Sequence, residues 1–302
     1  MLMSFRGFAV TTLLASTACV AAPAMAAEVE NPAGEAVPLA VSEAEPTAVP
    51  LADDALLVAV DVADAPVPAI VRVAQDTDDA IAGEMEGESG FEISGNVALV
   101  SDYRFRGVSF SDGDMALQGG IDIGHSSGIY VGTWASSITG GTPFGEVELD
   151  VYAGWSGPVA EGVTFDIGLL YYIYPTGDFP GVDTDYFEPY ASISGDLGPV
   201  SATFGVAYAW DQNAIGNTDN LYLYTDFETA IPDTPITLTA HLGYTDGPFS
   251  TDTDTTSFDW GLGAAWAVTE GLSLGVNYVD TEGPSVEDFT DAGFFFTLSY
   301  SM

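Results

Sequence analysis

The sequence predicts an all-β fold, a transmembrane antiparallel up-and-down β-barrel of about twelve strands with short periplasmic turns and longer outer loops. Three observations predict it. From residue 91 onward, apolar residues alternate with polar or small ones, the period of a strand with two unlike faces. The connections between these segments alternate between short and long. Finally, 47% hydrophobic residues coexist with a formal charge of −41. A disordered acidic chain would not carry so much apolar and aromatic surface, whereas a barrel faces lipid with an apolar wall and leaves its charge to lumen and loops.

Taken in chain order, Met1 to Ala26 reads as a secretory signal peptide. It has Arg6 near its start, an apolar stretch beginning Phe8-Ala9-Val10, and Ala24-Met25-Ala26 as the cleavage site. The single cysteine, Cys19, lies in this segment, so disulfides, thiolate catalysis and cysteine-held metals are not expected in the exported chain. Residues 27–90 change to Ala, Val, Pro and Glu without a helical or strand period. Scattered prolines interrupt both kinds of ladder and the acids favour solvation, so this stretch is expected to be a disordered, acidic periplasmic linker.

Residues 91–302 hold the barrel, with strands expected at 91–102, 115–125, 128–138, 146–156, 163–174, 186–197, 200–211, 220–230, 236–245, 257–268, 272–280 and 292–301. Val147, Leu149, Val151, Ala153 and Trp155 share one face, for example, and Phe258, Trp260, Leu262, Ala264 and Trp266 share another. Aromatics such as Trp155, Trp210, Tyr244 and Tyr300 fall near the strand ends, where a membrane interface favours them. The short connections are 126–127, 157–162, 198–199, 231–235 and 269–271. The long ones, rich in Asp and Gly, are 103–114, 139–145, 175–185, 212–219, 246–256 and 281–291. An even strand count puts both termini at the short-turn side, where a periplasmic linker has to be.

If the apolar faces meet lipid, the opposite parity points inward and makes an acidic lumen of Glu92, Asp122, Glu148, Asp150, Asp166, Glu188, Asp226, Glu228 and Asp259. Such a wall attracts cations and repels anions. Arg104 and Arg106, placed near the top of the first strand with the parity of Asp102, are expected to face it and to be held by carboxylate partners. The only other bases are Arg6 and Arg72, and there is no lysine, which leaves no phosphate-neutralising cluster and excludes nucleic acid as a partner. Asp246, Asp252 and Asp254 could offer oxygens to a divalent ion but lack the spacing of a cage, so a solvated loop is the expectation and no metal or cofactor is implied. His125 and His241 are the only histidines. Nucleophilic catalysis needs a Ser beside a His oriented by a third group. His125 sits beside the short Ser126-Ser127 turn and His241 has a lumen-facing parity, where a lone His is usually a hydrogen-bonded lumen residue, so no enzymatic activity is expected.

Gly95-Asn96-Val97-Ala98-Leu99-Val100-Ser101-Asp102-Tyr103-Arg104-Phe105-Arg106-Gly107 resembles the opening motif of a family of bacterial outer-membrane porins, TorF or Gcw_chp. Gln118-Gly119-Gly120-Ile121-Asp122 followed by Gly128-Ile129-Tyr130-Val131-Gly132-Thr133-Trp134-Ala135-Ser136 is similar to its glycine, tyrosine and tryptophan signature. The resemblance spans about 91–302 and is specific in the first part of that range. It implies a porin in the outer membrane. The chain departs from the family pattern in Ser137, where Asn is usual, in a final strand that ends Tyr300-Ser301-Met302 rather than on an aromatic, and in its long acidic linker.

The expected function is therefore passive diffusion of small hydrophilic solutes, preferring cations, through a barrel surrounded by outer-membrane lipid and lipopolysaccharide. The alternative is a non-conducting structural or adhesion barrel that contacts other surfaces through its acidic outer loops. An inward-folded loop forming a constriction supports the first, and a lumen packed by wall side chains the second.

Overall fold

A computed structural model of the chain describes residues 90–177, 181, 183–252 and 255–302; the expected signal peptide and all but the last residue of the expected linker lie outside them, as does Asp254. Twelve antiparallel strands close into a barrel: β1 (Phe91–Val100), β2 (Ala116–His125), β3 (Ile129–Ser137), β4 (Val147–Ala160), β5 (Val163–Ile173), β6 (Tyr186–Leu197), β7 (Val200–Gln212), β8 (Thr218–Ala230), β9 (Ile236–Asp246), β10 (Thr256–Ala267), β11 (Leu272–Thr281) and β12 (Gly293–Ser301). Each strand pairs with its neighbours in sequence, and β1 closes the ring against β12 through Asn96–Val100 and Thr297–Ser301. Closure leaves no strand edge unpaired along the ring, the requirement for backbone in a membrane.

Alternation sets the two faces. Ile93 is 71% exposed, Leu262 63% and Phe294 70%, all on the outside, in a molecule whose largest side chains would otherwise be expected inside. A continuous apolar exterior of this kind belongs in hydrocarbon rather than water. Trp210 and Tyr244 mark the long-loop end of the outer face, while Trp155 and Tyr300 mark the short-turn end. Introducing a charge into this face has a defined cost. Leu262→Arg, at the middle of β10, is expected to destabilise the inserted barrel by about 2–4 kcal/mol. Equilibrium unfolding from lipid bilayers measures this, and an unchanged midpoint would contradict a lipid-facing Leu262.

The ladder corrects the sequence reading in one connection. Residues 157–162 were expected to form a turn, but β4 runs on to Ala160 and the turn shrinks to Glu161-Gly162. The register with β5 shifts between Pro158 and Ala160, a bulge that accommodates a residue without an N–H to give to the ladder. At the other end β1 stops at Val100 rather than 102, and two short helical segments, Gly141–Phe144 and Asn213–Ile215, lie within the long connections 139–145 and 212–219.

Inside the wall, tyrosines lie against glycines on the neighbouring strand. Tyr190 pairs with Gly168, and a Cβ at Gly168 would sit 2.3 Å from its hydroxyl oxygen, so only glycine lets the ring lie flat along the lumen wall. The flattened rings leave the centre of the barrel to whatever enters from the loops.

Candidate functional site

What enters is the first long connection. After β1 the chain forms a small hairpin, Arg104–Phe105 paired with Val108–Ser109. Its turn residues, Arg106 (φ 45°) and Gly107 (φ 88°), both occupy the left-handed region, the mark of a tight two-residue turn. A Cβ on Gly107 would come within 2.5 Å of the Thr281 Cβ, so glycine is required there by conformation and by space.

Asp102 organises the base of this hairpin, accepting hydrogen bonds from the Ser109 and Ser111 hydroxyls and pairing with the Arg104 guanidinium. Arg104 also donates to the Asp291 carbonyl at 2.7 Å and to its carboxylate at 3.3 Å, tying the first long loop to the last. Arg104 therefore belongs to the loop lashing and does not line the passage, and neither arginine lies on the first strand.

Arg106 goes further in. Its Nη2 donates to both carboxylate oxygens of Glu188, at 3.2 and 3.4 Å, and its guanidinium lies 3.6 Å from the centre of the Tyr222 ring. The arginine side chain is 4% exposed and that of Glu188 is fully buried. Tyr172 donates its hydroxyl to the same carboxylate at 3.0 Å. This arrangement combines a charge-assisted hydrogen-bonded pair with a cation over an aromatic face.

Around the hairpin the lumen is filled. Tyr103, Phe105 and Val108 from the loop pack with Leu170, Tyr172, Tyr186 and Tyr222 from the wall, all buried. Glu148 and Asp150, on β4, lie in the same layer with no exposure. Tyr103 donates to Glu148 at 3.1 Å, whereas neither Asp150 oxygen has a hydrogen-bond partner among the described residues. Toward the short-turn end the lining loosens. Asp122 accepts from Tyr152, Asp166 accepts from Tyr130 at 2.9 Å, and these two carboxylates are half-buried. Glu228 is also half-buried, and Glu92 is exposed near the mouth.

A second cluster was not legible as a unit. His241 stands directly across the ladder from Asp226, and its Nδ1 bonds that carboxylate. Its Nε2 lies 3.0 Å from Asp259 and 2.8 Å from the Tyr222 hydroxyl. Among the described residues the hydrogen-bond partners of this imidazole are thus carboxylates and a phenol, with no serine in the role of a nucleophile. Tyr222 connects it to Arg106, and the signal that could have found Tyr222 is its strand parity, shared with Asp226 and Glu228. His125 sits at the β2–β3 turn, with Nδ1 2.8 Å from the Ser127 hydroxyl. Among the described residues, no group of three or more His, Cys, Asp or Glu is arranged to hold a metal ion.

The model of a family described as "Bacterial protein of unknown function (Gcw_chp)" matches residues 84–301. No curated protein matches the chain. Among solved structures, it is similar to the KdgM porin, solved in complex with disordered oligogalacturonate, at 7% identity and a TM-score of 0.45, covering 69% of this chain and 96% of that one. The NanC porin has 10% identity and a TM-score of 0.46, with 70% and 99% covered. An outer membrane channel from Pseudomonas putida F1 has 13% identity and a TM-score of 0.45, with 74% and 99% covered.

Proposed function

We propose, for this chain that belongs to the Gcw_chp family, the role of an outer-membrane porin: a passive, cation-preferring path for small hydrophilic solutes, narrowed by its own first outer loop. The barrel's apolar exterior supports the membrane setting. The export-signal pattern at residues 1–26 and the short-turn position of both barrel ends support the outer membrane, with the long loops outward and residues 27–90 in the periplasm. Outer-membrane lipid and lipopolysaccharide are then its surroundings.

The observation that carries the reading is the inward-folded hairpin. Its tip, Arg106, closes the lumen by pairing with a wall carboxylate, and the loop is joined to the barrel wall by side-chain contacts rather than by the strand ladder. A layer that depends on a loop can open when the loop withdraws. The carboxylates it uncovers, Glu148, Asp150 and Glu188, favour cations over anions. Asp259, near the long-loop end of β10, adds to the charge at this level, and Asp122, Asp166, Asp226, Glu228 and Glu92 extend it toward the periplasmic mouth. Selection by width and charge needs no chemistry, and this reading assigns the protein no catalytic role.

A specific observation favours a second reading. Leu170, Tyr172 and Tyr186 are wall side chains, and they too are completely buried in the closed layer. A permanently closed barrel acting through its acidic outer loops would have such a layer. Planar-bilayer recording of the refolded full chain separates the two: discrete steps support the porin, and a folded, inserted protein that never conducts supports the closed barrel.

A further inference from the structure

Arg106 occupies a site that it does not build. The receiving groups, Glu188 on β6, Tyr222 on β8 and Tyr172 on β5, are held by the barrel ladders, whereas Arg106 arrives on a loop. A carboxylate offering both oxygens, beside a tyrosine face, is recognition chemistry for a planar organic cation. The guanidinium now there is this chain's own.

The wall also places more carboxyl groups at this level than one arginine can pair. Asp150 is completely buried, lacks a hydrogen-bond partner among the described residues, and lies within electrostatic reach of both Glu148 and Glu188. Arg104 does not pair with them, because it is engaged by Asp102 and Asp291. The closed layer therefore holds a cation site filled by the chain's own tethered guanidinium.

The geometry points to a binding site for guanidinium-bearing solutes at Glu188 and the face of Tyr222, in which Arg106 is a competitor that entering solute displaces. The site rests on the channel reading for its access, but its binding chemistry can be tested separately. Emptying the site while leaving its walls intact is the direct route. Arg106→Ala does this, and guanidinium ion is the probe.

In detergent, the refolded full-length Arg106→Ala chain is expected to have a lower Tm than the parent. Millimolar guanidinium chloride should raise that Tm saturably, relative to equal sodium chloride, and leave the parent unchanged. The double variant Arg106→Ala, Glu188→Gln should lose the response. In bilayers, the same probe should block Arg106→Ala current over the same concentration range. If the single variant does not fold, Arg106→Lys keeps a charge without the planar group, and guanidinium should stabilise it too by displacing the lysine.

No guanidinium-specific shift, or an equal shift in the Glu188→Gln double variant, overturns the site. A variant that conducts but ignores guanidinium leaves the channel reading standing and removes the site. A variant that binds guanidinium without any chain conducting does the reverse.

Discussion

Glu188→Ala is expected to destabilise the barrel by about 3–5 kcal/mol, the range for removing one partner of a buried ion pair. The substitution leaves the Arg106 guanidinium charged and 4% exposed, with its carboxylate gone, because arginine does not discharge at accessible pH. It also removes an acceptor of the buried Tyr172 hydroxyl. Glu188→Gln keeps the shape and can still accept from Tyr172 through its amide oxygen, so its cost is smaller. Urea unfolding followed by tryptophan emission reads the difference. If the hairpin relieves the charge by leaving the lumen, part of the lost stability is replaced by raised conductance. A variant unchanged in both stability and conductance would show that the pair does not hold the closed layer.

Replacing residues 103–111 by a short Gly-Ser link is expected to have the largest effect on transport. β1 ends at Val100 and β2 begins at Ala116, so the ladder between them does not depend on the hairpin. The replacement removes Tyr103, Phe105, Val108 and the Arg106 guanidinium from the lumen. Single-channel conductance should rise several-fold, and selectivity should move further toward cations as Glu188 loses its positive partner and Glu148 and Asp150 are uncovered. Unchanged conductance in a folded variant would place the barrier in the wall side chains and favour the permanently closed barrel.

The strands were legible because alternation is local. A lipid-facing side chain every second residue repeats through each ladder, and expected and observed bounds differ by only a few residues at most ends. The turn at 157–162 was misread because Gly157-Pro158 carries turn residues, and a bulge that tolerates proline looks the same in sequence. The tight hairpin was locally encoded in Phe105-Arg106-Gly107-Val108, but its destination was not. Arg106 and Glu188 are separated by 82 residues, and nothing in the alternation says that a polar loop folds back into the barrel. Of the two arginines, Arg106 pairs with the wall carboxylate of Glu188. Arg104 was drawn to Asp291, in the last outer loop, a partner that only barrel closure brings near. Asp226 and His241 become direct partners by the register of β8 with β9, which the sequence leaves free to slide by two residues without changing any face.

The most direct test is the reversal potential of the refolded full-length protein in a planar bilayer under a salt gradient. A cation-selective potential carried by discrete steps is the result predicted for an acidic lumen narrowed by the Arg106 hairpin. An anion-selective potential, or a folded and inserted barrel that carries no current in either the parent or the hairpin-replaced chain, would contradict it.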